Sequence, residues 1–164
     1  MRPSPLPIGP GQESVWDYPR PPRLERSTAL VTVELGGVEV CRTTRAYRVL
    51  ETSHPPGWYL PAPDWLPGAL VPTRGSSFCE WKGDADYLDV VSGSAFAARA
   101  AWTYPRPTVA FRGLLDHVAV YPAAMDRCTV DGQVVRPQDG GFYGGWITDD
   151  VVGPFKGGPG STFW

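Results

Sequence analysis

The stretch "ALVTVELGGVEVCRT", residues 29–43, constrains the fold more than any other. Val31, Val33 and Leu35 alternate with Thr32 and Glu34, two glycines follow, and the alternation resumes at Val38 and Val40. A period of two sends successive side chains to opposite faces of a strand, so one face is apolar and the other polar. Gly36 and Gly37 supply the positive φ that a two-residue hairpin turn demands. The chain must therefore accommodate an antiparallel hairpin. A second one is read in "DRCTVDGQVVRP", around Asp131-Gly132.

The remaining chain is punctuated by 19 glycines and 19 prolines, which leave little room for long helices. "YRVLET" (47–52) reads as a strand stopped by "HPPG", and Tyr87 to Val91 and residues 117–121 read as further strands. "LPAPDWLPGAL" allows one helical turn near Asp64, and a short helix is expected over 107–115. Such glycine and proline content borders on disordered compositions, but seven tryptophans in 164 residues argue for a packed core. The expectation is one mainly β (α+β) domain, with antiparallel sheets and one or two short helices. Gly36, Arg42 and Tyr47 recur 57 positions later as Gly93, Arg99 and Tyr104, which suggests two matching hairpin units about a pseudo-twofold axis.

Charge excludes some functions. A net charge of −2 offers no basic surface for nucleic-acid phosphates. No apolar run approaches the roughly 20 residues of a membrane helix, and the N-terminus lacks an apolar secretory core, so a cytoplasmic location is expected. Cys41, Cys79 and Cys128 lie far apart without a CxxC pair, which fits neither a disulfide framework nor a zinc site. No metal and no cofactor is expected.

Thirteen of the 15 basic residues are arginine. The two lysines, Lys82 in "EWKGD" and Lys156 in "PFKGG", each sit between an aromatic residue and a glycine. Either this is coincidence in a small sample, or these positions require a compact, titratable amine rather than a planar fork.

The segments "RVLETSHPPGWYLP", "CEWKGDADYLDV", "AWTYPRPTVAF" and "VAVYP" occur in the order seen in a known family. Over roughly residues 30–122 the chain resembles the small bacterial and fungal proteins called domain of unknown function family 427, which also carry a nucleotidyltransferase-like label. The resemblance implies a β-tent or barrel-like arrangement, in which antiparallel sheets meet at an angle over a small pocket. Many members of that wider group hold zinc through two cysteine pairs; without such pairs a metal-free version is expected here. The nucleotidyltransferase label finds no support, since neither a glycine-rich phosphate loop nor paired aspartates for magnesium are present. The organisation expected is a proline-rich arm (1–26), a family core (27–136) and a Gly/aromatic-rich extension packed on that core (137–164).

The resemblance carries Glu51, Tyr59, Cys79, Lys82, Tyr87, Trp102 and Tyr104 forward as motif positions, with Trp81 alongside. Cys79 beside Lys82 is either a thiolate activated by an ammonium, or a small core residue next to a surface charge. Glu51 and Lys82 would either form a structural ion pair closing a barrel end, or poise each other for proton transfer in a pocket. Trp102 and Tyr104 share a strand face, and aromatic stripes of this kind usually build cores. Tyrosine and tryptophan nonetheless carry polar handles suited to a pocket for a flat or cationic small molecule. His54, flanked by prolines, reads as a turn residue.

The functional expectation is a protein, monomeric or weakly dimeric, that binds a small molecule in an aromatic-lined pocket with a Glu51/Lys82 polar end. The ligand-binding set would be Glu51, Tyr59, Trp81, Lys82, Tyr87, Trp102 and Tyr104. The alternative is a metal-independent enzyme acting on a small metabolite through Lys82, Tyr104 or Cys79, with Glu51 assisting. A third reading makes the proline arm or aromatic tail a docking segment for a protein partner.

Overall fold

The structure is a computed structural model and describes residues 2–164. In chain order the first strands are β1 (Glu13–Ser14), β2 (Arg23–Arg26), β3 (Val31–Leu35), β4 (Val38–Thr43), β5 (Tyr47–Leu50) and β6 (Gly57–Pro61). Three long or central ones follow, β7 (Leu70–Cys79), β8 (Gly83–Ser92) and β9 (Ala95–Thr103), then β10 (His117–Val120) and β11 (Arg127–Val130). Four two-residue strands complete the set: β12 (Gln133–Val134), β13 (Arg136–Pro137), β14 (Trp146–Ile147) and β15 (Val151–Val152).

Seven strands form one sheet in the order β2-β5-β6-β10-β9-β8-β7, and four form a second, β12-β11-β3-β4. Every neighbouring pair in both sheets is antiparallel. Both sheets are open, and among the described residues no closed barrel forms, because β2 and β7 remain edges. No described helix is long and apolar enough to cross a membrane.

The two foreseen hairpins are present, with Leu35 opposite Val38 and Val130 opposite Gln133. Gly36 and Gly37 take φ of 62° and 75°, and Asp131 and Gly132 take 47° and 81°. Positive φ at both turn positions matches the right-handed twist of the flanking strands. The helix expected over 107–115 is a 3-10 segment, Val109–Leu114, kinked at Phe111, and the turn near Asp64 is Ala62–Asp64. Prolines at 105 and 107 and Gly113 leave no span for a regular α-helix.

The two hairpins related by the 57-residue offset, β3–β4 and β8–β9, meet at their tips. A Cβ on Gly36 would lie 2.7 Å from the Cβ of Ala95. The match loosens at Arg99, which takes φ of 51° where the β8–β9 register shifts, its amide donating to Asp89 Oδ1 at 2.7 Å.

Alternation along the central strands separates two cores. Trp58, Leu60, Val90, Ala101, Val118 and Val120 pack with Val31, Val33, Val40, Cys41 and Cys128 of the four-stranded sheet. Their alternates Tyr59, Ala85 and Ala119 face the other way and pack with Val49, Tyr104, Phe111 and Leu114. A third cluster joins Val15, Trp16 and Tyr18 to Leu50 and Val151, so the first residues and the last lie against each other. The large sheet thus has one face closed by its partner sheet. The other carries Tyr59, Trp102 and Tyr104.

Candidate functional site

The site is built on that aromatic face. Tyr59 on β6, Tyr87 on β8 and Trp102 on β9 all line one cavity of about 660 Å³, and Tyr87 pairs directly opposite Trp102. Trp102 Nε1 donates to Tyr59 Oη at 3.4 Å, with the rings edge-to-face at 6.5 Å. Tyr104, one residue past β9, lies 6.1 Å from Tyr59 between ring centres, and Tyr121 lies 4.5 Å from Trp102. Burial, followed by the neighbouring Tyr59 and Cys79, pushes the Tyr104 hydroxyl far above its ordinary pKa. Burial also pushes Tyr121 up to about 12. Both therefore stay protonated at neutral pH.

"FCEWKG" forms the end of β7, a three-residue turn and the start of β8, with Cys79 opposite Gly83. Gly83 takes φ of 108°, and a Cβ there would meet Arg106 O at 3.1 Å, so this tight return requires glycine. The 106–108 loop clamps the turn from outside. Thr108 Oγ1 donates to Trp81 O at 2.6 Å and Thr108 N to Lys82 O at 3.1 Å. The clamp fixes the backbone from which the Trp81 and Lys82 side chains line the cavity.

After β5, Glu51 and His54 are joined by a turn in which His54 N donates to Glu51 O at 3.0 Å. Ser53, fully buried at φ 74°, holds this turn in a left-handed conformation that favours glycine. Its amide donates to Val15 O at 3.1 Å and its carbonyl accepts from Lys156 N at 2.8 Å. One strained residue therefore ties the arm, the turn and the tail together at the mouth of the site.

The charges are arranged unevenly. Glu51 pairs with Arg20 at 3.2 Å and lies 3.6 Å from His54 Nε2. The expected Glu51–Lys82 contact does not form: among the described residues no carboxylate lies within 4.0 Å of Lys82. The arm supplies Arg20 as the nearer cation, while Lys82 acts on Glu51 only through space. Burial opposes the Lys82 charge, but Tyr59, Cys79 and Glu51 outweigh it and raise its pKa. His54 is held down to about 3, first by burial and then by Lys156, Arg20 and Lys82. Gln138 Nε2 approaches His54 Nδ1 at 3.4 Å, which assigns the ring proton to Nε2, facing Glu51.

All seven residues expected to bind ligand line this cavity, together with Cys79. Sequence reasoning missed Arg20, Gln138, Tyr143 and the cavity-facing role of His54, and it singled out Lys156 without assigning it to the site. Gln138 is buried, donating to Lys156 O at 2.6 Å and accepting from Gly145 N at 3.1 Å, so it anchors the tail that forms one wall. Both lysines line the same cavity, and their shared aromatic–Lys–Gly context was the one signal that could have joined them.

Among the described residues no group of three or more His, Cys, Asp or Glu is set to hold a metal ion. Cys41, Cys79 and Cys128 are free thiols. Burial raises the first and third, Cys128 to about 12. The cavity offers ammonium groups, hydroxyls and aromatic faces, a donor set suited to organic ligands.

A comparison with curated proteins gives no match. The model of the family described as Domain of unknown function (DUF427) matches residues 23–131, from the first strand of the large sheet to the second hairpin turn, and the chain belongs to that family.

Proposed function

We propose that this protein binds a small molecule in the aromatic cavity, with Lys82 at the polar end and the Arg20–Glu51 pair beside it. The observation that carries this reading is convergence. Segments around residues 20, 51–59, 77–87, 102–104 and 138–156 contribute to one cavity of about 660 Å³, a size typical of small-molecule sites. The same reading has a cytoplasmic protein, monomeric or weakly dimeric, without nucleic-acid or membrane partners. Its free thiols and net charge of −2 support that part. Native mass spectrometry of freshly purified protein tests the reading. A retained organic molecule, lost when Trp102→Ala opens the wall, is the expected result; an empty chain that acquires nothing from a metabolite extract contradicts it.

The adjacency of Cys79 and Lys82 favours a second reading, a metal-independent enzyme. Two features weigh against it. A nucleophilic lysine needs a lowered pKa, whereas that of Lys82 is raised. His54, the histidine of this cavity, directs its two nitrogens at Glu51 and Gln138, leaving neither for the Cys79 thiol. Fast labelling of Cys79 by a thiol probe, with a pH midpoint far below that of a free thiol, would revive the enzyme.

A further inference from the structure

We infer that the ligand of this cavity is an organic anion on an aromatic or otherwise flat body, its charged oxygens held between the Lys82 and Lys156 ammonium groups. The inference rests on the cavity being a binding site and names the chemistry that fits it.

The first observation is selective. Seven arginines, Arg20, Arg23, Arg42, Arg45, Arg48, Arg127 and Arg136, pair with carboxylates at 3.4 Å or less. The two lysines are the chain's only ones, both line this cavity, and neither has an Asp or Glu carboxylate within 4.0 Å among the described residues. Each rests instead near a tyrosine face. Lys82 Nζ lies 5.8 Å from the Tyr104 ring centre and Lys156 Nζ lies 5.7 Å from that of Tyr143. A ring face attracts an ammonium without neutralising it, so the charge remains available to a ligand. Lys156 Nζ also donates to Trp164 O at 3.4 Å, an oxygen it shares with Arg20 Nη1, likewise at 3.4 Å.

The second observation is the charge count at the cavity. Lys82, Lys156 and Arg20 face Glu51 and Glu80. Arg20 is taken up by Glu51 at 3.2 Å, and Glu80 is exposed at the rim. His54 adds no charge above about pH 3, and it lies close enough to Lys156, Arg20 and Lys82 to feel all three. What remains inside is two ammonium groups with no Asp or Glu counter-ion among the described residues. A cation shielded from water needs an anion or strong acceptors, and a bound anion supplies them. The same charge repels a cationic ligand, although aromatic walls alone would suit one. The walls themselves, Trp102, Tyr59, Tyr104 and Tyr121, select a flat body. Lysine is a point charge without the geometric preference of arginine, so a carboxylate and a phosphate both satisfy the site.

Four naphthalene probes of one shape test this by calorimetry: 1-naphthoate, 1-naphthyl phosphate, neutral 1-naphthamide and cationic 1-naphthylmethylamine. Wild type should bind at least one of the two anions about tenfold to a hundredfold tighter than the amide, the span expected for hydrogen bonds to a charged group. Whichever anion binds better identifies the source, carboxylate or phosphate. Lys82→Met and Lys156→Met should each lose most of that preference, and the double variant all of it. Lys82→Gln and Lys156→Gln serve where a methionine variant unfolds. Equal binding of anions and amide, or a preference that survives in the double variant, overturns the anion inference and leaves the cavity as a binding site. Failure of all four probes in wild type overturns both together.

Discussion

Two half-buried regions of this molecule handle positive charge in opposite ways. On the arm side, Arg48 is only 16% exposed and is fully partnered. It donates to Glu13 at 2.5 Å and to Glu25 at 2.7 and 3.0 Å. Burial works against its charge, and these bonds more than offset it. In the cavity, Lys82 and Lys156 have aromatic rings beside them but, among the described residues, no Asp or Glu carboxylate within 4.0 Å. The same chain therefore compensates a structural cation completely and gives two cations at one place no Asp or Glu partner. Arg48 is where charge holds the fold together. The lysines are where charge waits for something from outside.

The largest expected effect lies on the structural side. Arg48→Met leaves Glu13 and Glu25 facing each other across an apolar stem. Breaking a buried pair costs about 3–5 kcal/mol. Because Glu13 and Glu25 are 41% and 37% exposed and can rehydrate, about 2–3 kcal/mol is expected in urea unfolding. A loss near zero would erase the contrast.

The next effect comes from His54 and is read by pH. Its folded pKa is depressed to about 3, so the unfolded chain takes up the proton first. Stability is then fully present above about pH 6.5 and is lost as pH falls toward the folded value, at up to about 1.4 kcal/mol per unit. His117 adds in the same direction, since burial lowers it too. Between pH 6.5 and 4.5 wild type should lose about 2 kcal/mol. His54→Gln should flatten most of that slope, and an unchanged slope would mean that the imidazole is not buried beside the cations.

The smallest effect is on the lysine side. Lys82→Met with Lys156→Met should change stability by no more than about 0.5 kcal/mol, because Glu51 keeps Arg20 as its partner. A loss approaching that of Arg48→Met would make the lysines structural and remove the distinction.

Much of the fold was legible because period two and turn glycines are local signals. The hairpins at Gly36-Gly37 and Asp131-Gly132 are examples. β2, "RLER", escaped because it is charged and follows prolines, and its strand character comes from pairing Leu24 with Val49. β7, "LVPTRGSSFC", escaped because Pro72 and Gly75 break its alternation, which the structure absorbs as a register shift between Pro72 and Ser76. The site was legible where aromatic and charged residues cluster on strands. Arg20 and Tyr143 reach it from segments with no periodicity, and arm and tail are brought together by long-range contacts, among them the buried turn at Ser53 and the pairing of β1 with β15. The Glu51–Lys82 pair was inferred from charge complementarity, without knowledge that Arg20 lies nearer.

The composition itself allows the most direct test. A chain with two lysines, labelled with carbon-13 at lysine Cε, gives two side-chain resonances. Titration with 1-naphthoate or 1-naphthyl phosphate should move both along a single binding curve, because both ammonium groups hold one anion. If neither signal moves while the probe binds, or if the two follow different affinities, the lysines do not form one site and the account is wrong.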